Sequence, residues 1–208
     1  FQVSLVKYIQ GTEKPLSGSV FSLKDPNVDT IENLTTYQEG KAISGVHEFL
    51  FPGQAYSIEE IAPPPGFTLS EEYKKTFTPK TEGEETLERF QYIFGNEAIL
   101  GEVIIQKFDI VSGDRPQGEG VFSSAKYDIV ATSFLNPNST DYKLGDVVDS
   151  IETDETGYGK SKPLPLGTYA LVEVEAPEGY VLNDHALTFE LTEVNKQLVL
   201  KPLERNDL

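Results

Sequence analysis

Residues 169–180 read YALVEVEAPEGY. Tyr169, Leu171 and Glu173 alternate with residues of the opposite face, so in a strand all three turn toward the core. A carboxylate in the third place of such a row is costly unless a partner meets it or it keeps its proton. Residues 56–67, YSIEEIAPPPGF, follow the same plan, with Tyr56, Ile58 and Glu60 in phase. In both stretches a glycine comes six positions after the glutamate (Gly66, Gly179) and an aromatic follows it (Phe67, Tyr180).

The repetition extends outward from these two stretches. Each half opens on a strand-like run containing a lysine, VSLVKY with Lys7 and EVIIQKFD with Lys107. A turn, a second strand and a long variable region come next, and then the strand with the inward glutamate, introduced by FPGQ in one half and LPLG in the other. Short alternating runs broken by Gly, Pro, Asn and Asp predict an all-β chain of two tandem sandwiches. The expected strands are VSLVKY, SVFSLK, HEFLF, AYSIEEI and RFQYIF, then EVIIQKFD, AKYDIVA, TYALVEV, LTFELT and QLVLKPL. The domain boundaries fall at 1–98 and 99–208, with Gly95 and Gly101 marking a short linker. The acidic stretch between Asn33 and Lys41 is open to a short helix, and segments 24–48 and 131–150 read as long solvated loops.

Bulk composition narrows the function classes. The 208 residues, 38% hydrophobic, suffice for two domains that each bury a core. A net charge of −17 argues against a nucleic-acid partner, which needs clustered Lys and Arg. Cysteine is absent, which excludes disulfides and thiolate metal sites. Two histidines, His47 and His185, are too few for a His-rich site, and the acidic turns DPNVD and TDETG lack a full set of calcium ligands. Neither a metal nor a cofactor is implied. No apolar run approaches the roughly 20 residues that cross a bilayer, so no membrane partner is expected of this piece. Without a signal peptide at one end or an anchor at the other, the chain reads as part of something longer.

The same phase test applies to the lysines and to the last strands. Val3, Leu5 and Lys7 share a face, as do Val103, Ile105 and Lys107. Phe90, Tyr92, Phe94 and Asn96 are in phase, which sets an asparagine at the end of an apolar row. In the second half Leu198, Leu200 and Asn206 are in phase with Pro202 and Glu204 between them. A lysine, a glutamate and an asparagine inside an apolar sandwich have a specific chemistry. Burial disfavours each charge, a neutral amine is a nucleophile, and a neighbouring carboxyl can polarise the amide and move protons while ammonia leaves. The competing reading is a buried Lys–Glu ion pair with no covalent bond.

YALVEVEAPEGY, preceded by TDETGYGKSKPLPLGT and followed by VLND, resembles the signature of the B-type domains of Gram-positive surface proteins and pilins, named after a collagen adhesin (CnaB domains). VIIQKFDIVSGDRPQGEG resembles their opening strand and turn, and LVKYIQGTEKPLSGSVFSLKD with YSIEEIAPPPGF repeats the plan. The resemblance implies reverse immunoglobulin-like sandwiches with an autocatalytic isopeptide bond between first and last strands. It implies Lys7 joined to Asn96 with Glu60 as catalyst, and Lys107 joined to Asn206 with Glu173 as catalyst. Asp207 and Asn195 are the other acceptor candidates in the second half, but Asn206 matches the first half's spacing from the glutamate best. Two departures stand out, the triple proline of EEIAPPPGF and the second carboxylate Glu59. The implied function is a stalk segment of a pilin or wall-anchored adhesin outside the cell, without enzymatic turnover. Its partners would be neighbouring domains or subunits. The alternative is an adhesin module that engages host matrix or epithelium through its long loops.

Overall fold

The computed structural model describes residues 1–48, 50–51, 53–80 and 87–204. The chain forms two compact units, Phe1–Ala98 and Ile99–Leu208.

Unit 1 contains β1 (Gln2–Ile9), β2 (Val20–Lys24), β3 (Thr30–Thr35), β4 (Lys41–Ile43), β5 (Tyr56–Ala62), β6 (Lys74–Phe77) and β7 (Arg89–Asn96). One sheet has the order β4-β1-β7 and the other β3-β2-β5-β6. The first and last strands, β1 and β7, run parallel in unbroken register from Gln2 opposite Arg89 to Ile9 opposite Asn96. Alternate residues of β1, Val3, Leu5 and Lys7, are buried, as the pleat requires of a strand with one covered face. Val3 and Leu5 join Phe21, Leu23, Tyr56, Ile58 and Phe94 in the core.

Unit 2 repeats this layout with more interruptions. Its first strand is split into β8 (Leu100–Gln106) and β9 (Phe108–Asp109), and β10 (Lys126–Phe134), β11 (Val147–Glu152), β12 (Tyr158–Lys160) and β13 (Leu164–Pro165) follow. Then come β14 (Gly167–Glu175), β15 (Leu187–Leu191) and a split last strand, β16 (Gln197–Leu200) and β17 (Leu203–Glu204). The four-stranded sheet runs β11-β10-β14-β15; opposite it β12, β13 and β16 pair with β8, and β17 pairs with β9. Both β8–β16 and β9–β17 are parallel, the arrangement of β1 and β7 again. Val103, Ile105, Tyr127, Ile129, Tyr169, Leu171 and Phe189 build the core.

Several sequence expectations need correction. Phe49 of HEFLF lies outside the described residues, and none of its described residues is in a strand; the Gln54 amide donates to the Phe51 carbonyl at 3.3 Å and Gly53 has φ +70°. Segment 24–48 holds β3 and β4 rather than a free loop, and the Asn33–Lys41 stretch carries only a three-residue 3-10 turn, Gln38–Gly40. Segment 131–150 is shorter as a loop, because β10 reaches Phe134 and β11 begins at Val147. Gly95 and Gly101 are strand residues, not a linker. A Cβ on Gly101 would stand 2.8 Å from the Lys196 carbonyl oxygen, so the glycine serves close strand approach.

Candidate functional site

In unit 1 three strands deliver three polar side chains to one point of an apolar interior. Lys7 ends the inward row of β1, opposite Phe94 of β7. Two residues on, still facing inward, Asn96 closes β7. Glu60 comes from β5 in the opposing sheet, where it stands opposite Phe21 of β2. None of the three is more than 1% exposed. Lys7 Nζ donates to Glu60 Oε2 at 2.8 Å and to Asn96 Oδ1 at 2.6 Å. Asn96 Nδ2 donates to Glu60 Oε1 at 2.9 Å, which closes the triangle. The ammonium lies 5.6 Å from the ring centres of both Phe21 and Phe94. Burial in this apolar shell pulls the lysine's pKa below its ordinary value, and the hydrogen bond and charge of Glu60 offset part of that.

The turn after the glutamate is the same in both units. The Phe67 amide donates to the Pro64 carbonyl at 3.2 Å, and the Tyr180 amide to that of Pro177 at 3.1 Å. Gly66 and Gly179 sit at φ +81° and +86°, the left-handed place that a type II turn reserves for glycine. The extra prolines of APPPG fit here, since proline suits the position before that glycine. Glu59 points to the other side of the sheet, where it pairs with Lys24 and, at 3.6 Å, with Lys74. It belongs to a largely buried ion pair on the sheet's other face, not to the site.

Unit 2 assembles a related but different cluster. Lys107 lies between β8 and β9, fully buried, with Nζ 2.7 Å from Glu173 Oε1 on β14. Nζ also donates to the Tyr127 hydroxyl, which in turn donates to Glu173 Oε1 at 2.9 Å. The backbone amide of Asn183 donates to Glu173 Oε2 at 2.7 Å. Burial pushes the Lys107 pKa down to about 8 against the pull of Glu173, and burial beside that carboxylate pushes the Tyr127 phenol upward. Asn206 and Asp207 lie outside the described residues. Leu203 pairs with Phe108 and Glu204 with Asp109, so the register position that Asn96 holds in unit 1 is held in unit 2 by Glu204. Asn195 sits in an exposed turn, its amide donating to the Thr192 carbonyl, at the end of β16 remote from Lys107.

Sequence reasoning missed Tyr127, although it leads the inward row Tyr127, Ile129, Ala131 and could have been aligned with Phe21. It also missed Gly40 and Gly157, each just before a strand that pairs with the lysine's strand. Both have positive φ, +66° and +78°. A Cβ on Gly40 would stand 2.2 Å from the Lys7 carbonyl oxygen, and one on Gly157 2.8 Å from the Lys107 Cβ. The acidic turns hold their own backbones: Asp25 Oδ1 accepts from the amides of Asn27 and Asp29, and Asp154 Oδ1 from those of Thr156 and Tyr158.

Fold and clusters together define a tandem of immunoglobulin-like sandwiches, each with a lysine and a glutamate buried against its parallel first and last strands. The chain belongs to the SpaA family of prealbumin-like fold domains, which matches it twice, over residues 1–89 and 103–202. Among solved structures, the TIE protein of Bacillus anthracis is similar at 27% identity and a TM-score of 0.74, over 99% of this chain and 34% of that one. The chain thus spans about a third of that protein's length. BcpA, the major pilin subunit of Bacillus cereus, is similar at 12% identity and a TM-score of 0.39, over 99% of each chain. GBS52, the minor pilin of Streptococcus agalactiae, is similar at 13% and 0.39, over 100% of this chain and 96% of that one. No curated protein sequence matches the chain.

Proposed function

We propose that the chain is a load-bearing stalk segment of a Gram-positive pilus or other surface protein, each unit locked by an amide between a lysine and a side chain of its last strand. The observation that carries this is the closed Lys7–Glu60–Asn96 triangle. The amine nitrogen already stands 2.6 Å from the oxygen of the amide it would attack. Glu60 touches both reactants with separate oxygens, so it can take a proton from the amine on one and return it to the leaving nitrogen from the other. Lys–NH3+ and the asparagine amide become a secondary amide and ammonium, with the carboxylate restored. The product replaces a buried charge with a neutral link, which removes the desolvation penalty of the unreacted site. Lys107 and Glu173 play the same parts in unit 2, with Asn206 as the acceptor. Each bond forms once, so the chain is not an enzyme with turnover. Family membership and the surface-protein motifs support a place outside the cell, with neighbouring domains or pilus subunits as partners.

Intact mass under denaturing conditions tests this. A loss of about 17 Da per bond marks departed ammonia, and about 18 Da in unit 2 would move its bond to a carboxylate, Asp207 or Glu204, which peptide mapping separates. Glu60→Ala and Glu173→Ala should each restore one loss. An unshifted wild-type mass leaves two buried ion pairs and ends the proposal.

A further inference from the structure

At the register position opposite the glutamate, the two clusters differ by one hydroxyl group. Phe21 stands opposite Glu60 between β2 and β5, and Tyr127 stands opposite Glu173 between β10 and β14. Both rings are buried and both lie under the lysine, 5.6 Å from Lys7 Nζ and 4.9 Å from Lys107 Nζ. Around the carboxylates the hydrogen bonding diverges. Glu60 gives one oxygen to Lys7 and the other to Asn96. Glu173 accepts from Lys107 and Tyr127 on Oε1 and from the Asn183 backbone amide on Oε2.

Hydrogen bonds to a carboxylate favour its charged form and make it a poorer proton acceptor. The amine must lose a proton to become a nucleophile, and the buried glutamate beside it is the base that receives it. A second donor on the accepting oxygen therefore works against the transfer that starts the reaction. From this we infer that Tyr127 is a positioning residue: its hydroxyl shares the Glu173 oxygen that faces Lys107 and makes bond formation in unit 2 slower than in unit 1. The inference rests on the amide-forming reading above. It is independent of which acceptor unit 2 uses, because the proton leaves Lys107 before ammonia departs from an asparagine or water from a carboxyl group. Phenol and carboxylate are both regenerated.

The test follows both bonds in the full chain after a short pulse of cell-free synthesis. Samples are quenched in acid at intervals, and the cross-linked peptide of each unit is quantified by mass. In the wild type unit 1 should close first. Tyr127→Phe, which gives unit 2 the ring that unit 1 already carries, should speed closure of unit 2 by roughly tenfold or more, the worth of one hydrogen bond to a charged group. Phe21→Tyr should slow unit 1 and leave unit 2 unchanged. A merely structural hydroxyl would show the opposite sign, since removing it would slow unit 2. Equal or slower closure of unit 2 in Tyr127→Phe overturns the inference while bonds in unit 1 keep the amide-forming reading intact. Absence of bonds in both units takes both down.

Discussion

At the scale of single residues, the buried lysines set the terms. An ammonium inside an aromatic shell is tolerable only while a carboxylate meets it, so Glu60 has a structural role beside the catalytic one proposed for it. Two variants separate its roles. Asn96→Ala leaves the Lys7–Glu60 pair but removes the acceptor, and Glu60→Ala leaves Lys7 buried without its carboxylate. Neither forms the bond. Glu60→Ala should nonetheless be the less stable of the two by at least about 2 kcal/mol in urea unfolding of unit 1, because the uncompensated charge is the costlier defect. Equal stability would mean that Lys7 escapes to water when its partner is lost. Lys107 makes a prediction about pH. Its folded pKa of about 8 lies below the ordinary 10.5, so between these values the unfolded chain binds more protons than the folded one. Stability of an unreacted unit 2 should therefore rise with pH through this window. The variant for the measurement is Asn206→Ala with Asp207→Ala and Glu204→Ala, unfolded in urea at pH 7 and pH 9.5. A flat or falling stability would show that Lys107 keeps its ordinary pKa in the fold.

At the scale of elements, legibility followed burial. Strands β1, β5, β8 and β14 were readable because one face is covered, and Lys7, Glu60, Lys107 and Glu173 stood out as polar residues that kept that face's phase. Edge strands such as β3, β4 and β12 were not readable, since charged and polar side chains on their open faces erase the alternation. The proposed acceptor of unit 1 was legible because Phe94 and Asn96 continue one apolar row. In unit 2 Pro202 interrupts that row, and the pairing resumes only as the short β17. Geometry between strands leaves no periodic trace at all, which is why Gly40 and Gly157 went unnoticed. Gly40 lets the chain turn under the Lys7 carbonyl, which accepts from the Leu16 amide at 2.9 Å. Gly40→Ala must carry a side chain at positive φ and push that backbone away, a cost of about 2 kcal/mol or more. It should lower the melting temperature of unit 1 and slow its bond without touching unit 2, and Gly157→Ala should do the reverse. Unchanged bond formation in both would show that the lysine strands are positioned without these glycines.

At the scale of each unit as a device, the parallel first and last strands decide how force travels. Tension on unit 1 enters before Gln2 and leaves after Asn96, at opposite ends of two adjacent strands, so it shears β1 against β7. Backbone hydrogen bonds alone would yield to a sustained pull. The proposed link from Lys7 to Asn96 would carry the load from one strand straight into the other, and the 89 residues it spans would be removed from the loaded path. The same link closes a loop whose restriction of the unfolded chain is worth roughly 4–5 kcal/mol on the entropic account of cross-links. Single-molecule pulling measures the mechanical part directly. With unit 1 unlocked by Glu60→Ala, its rupture should release about 300 Å of chain, the contour of those 89 residues at roughly 3.3–3.6 Å each. In the wild type that step should be missing at any force below covalent rupture, while refolding after relaxation of the Glu60→Ala chain restores it on every cycle. A step of that length in the wild type would mean that the sandwich bears its load through non-covalent contacts, and the stalk would then have to be explained without a bond.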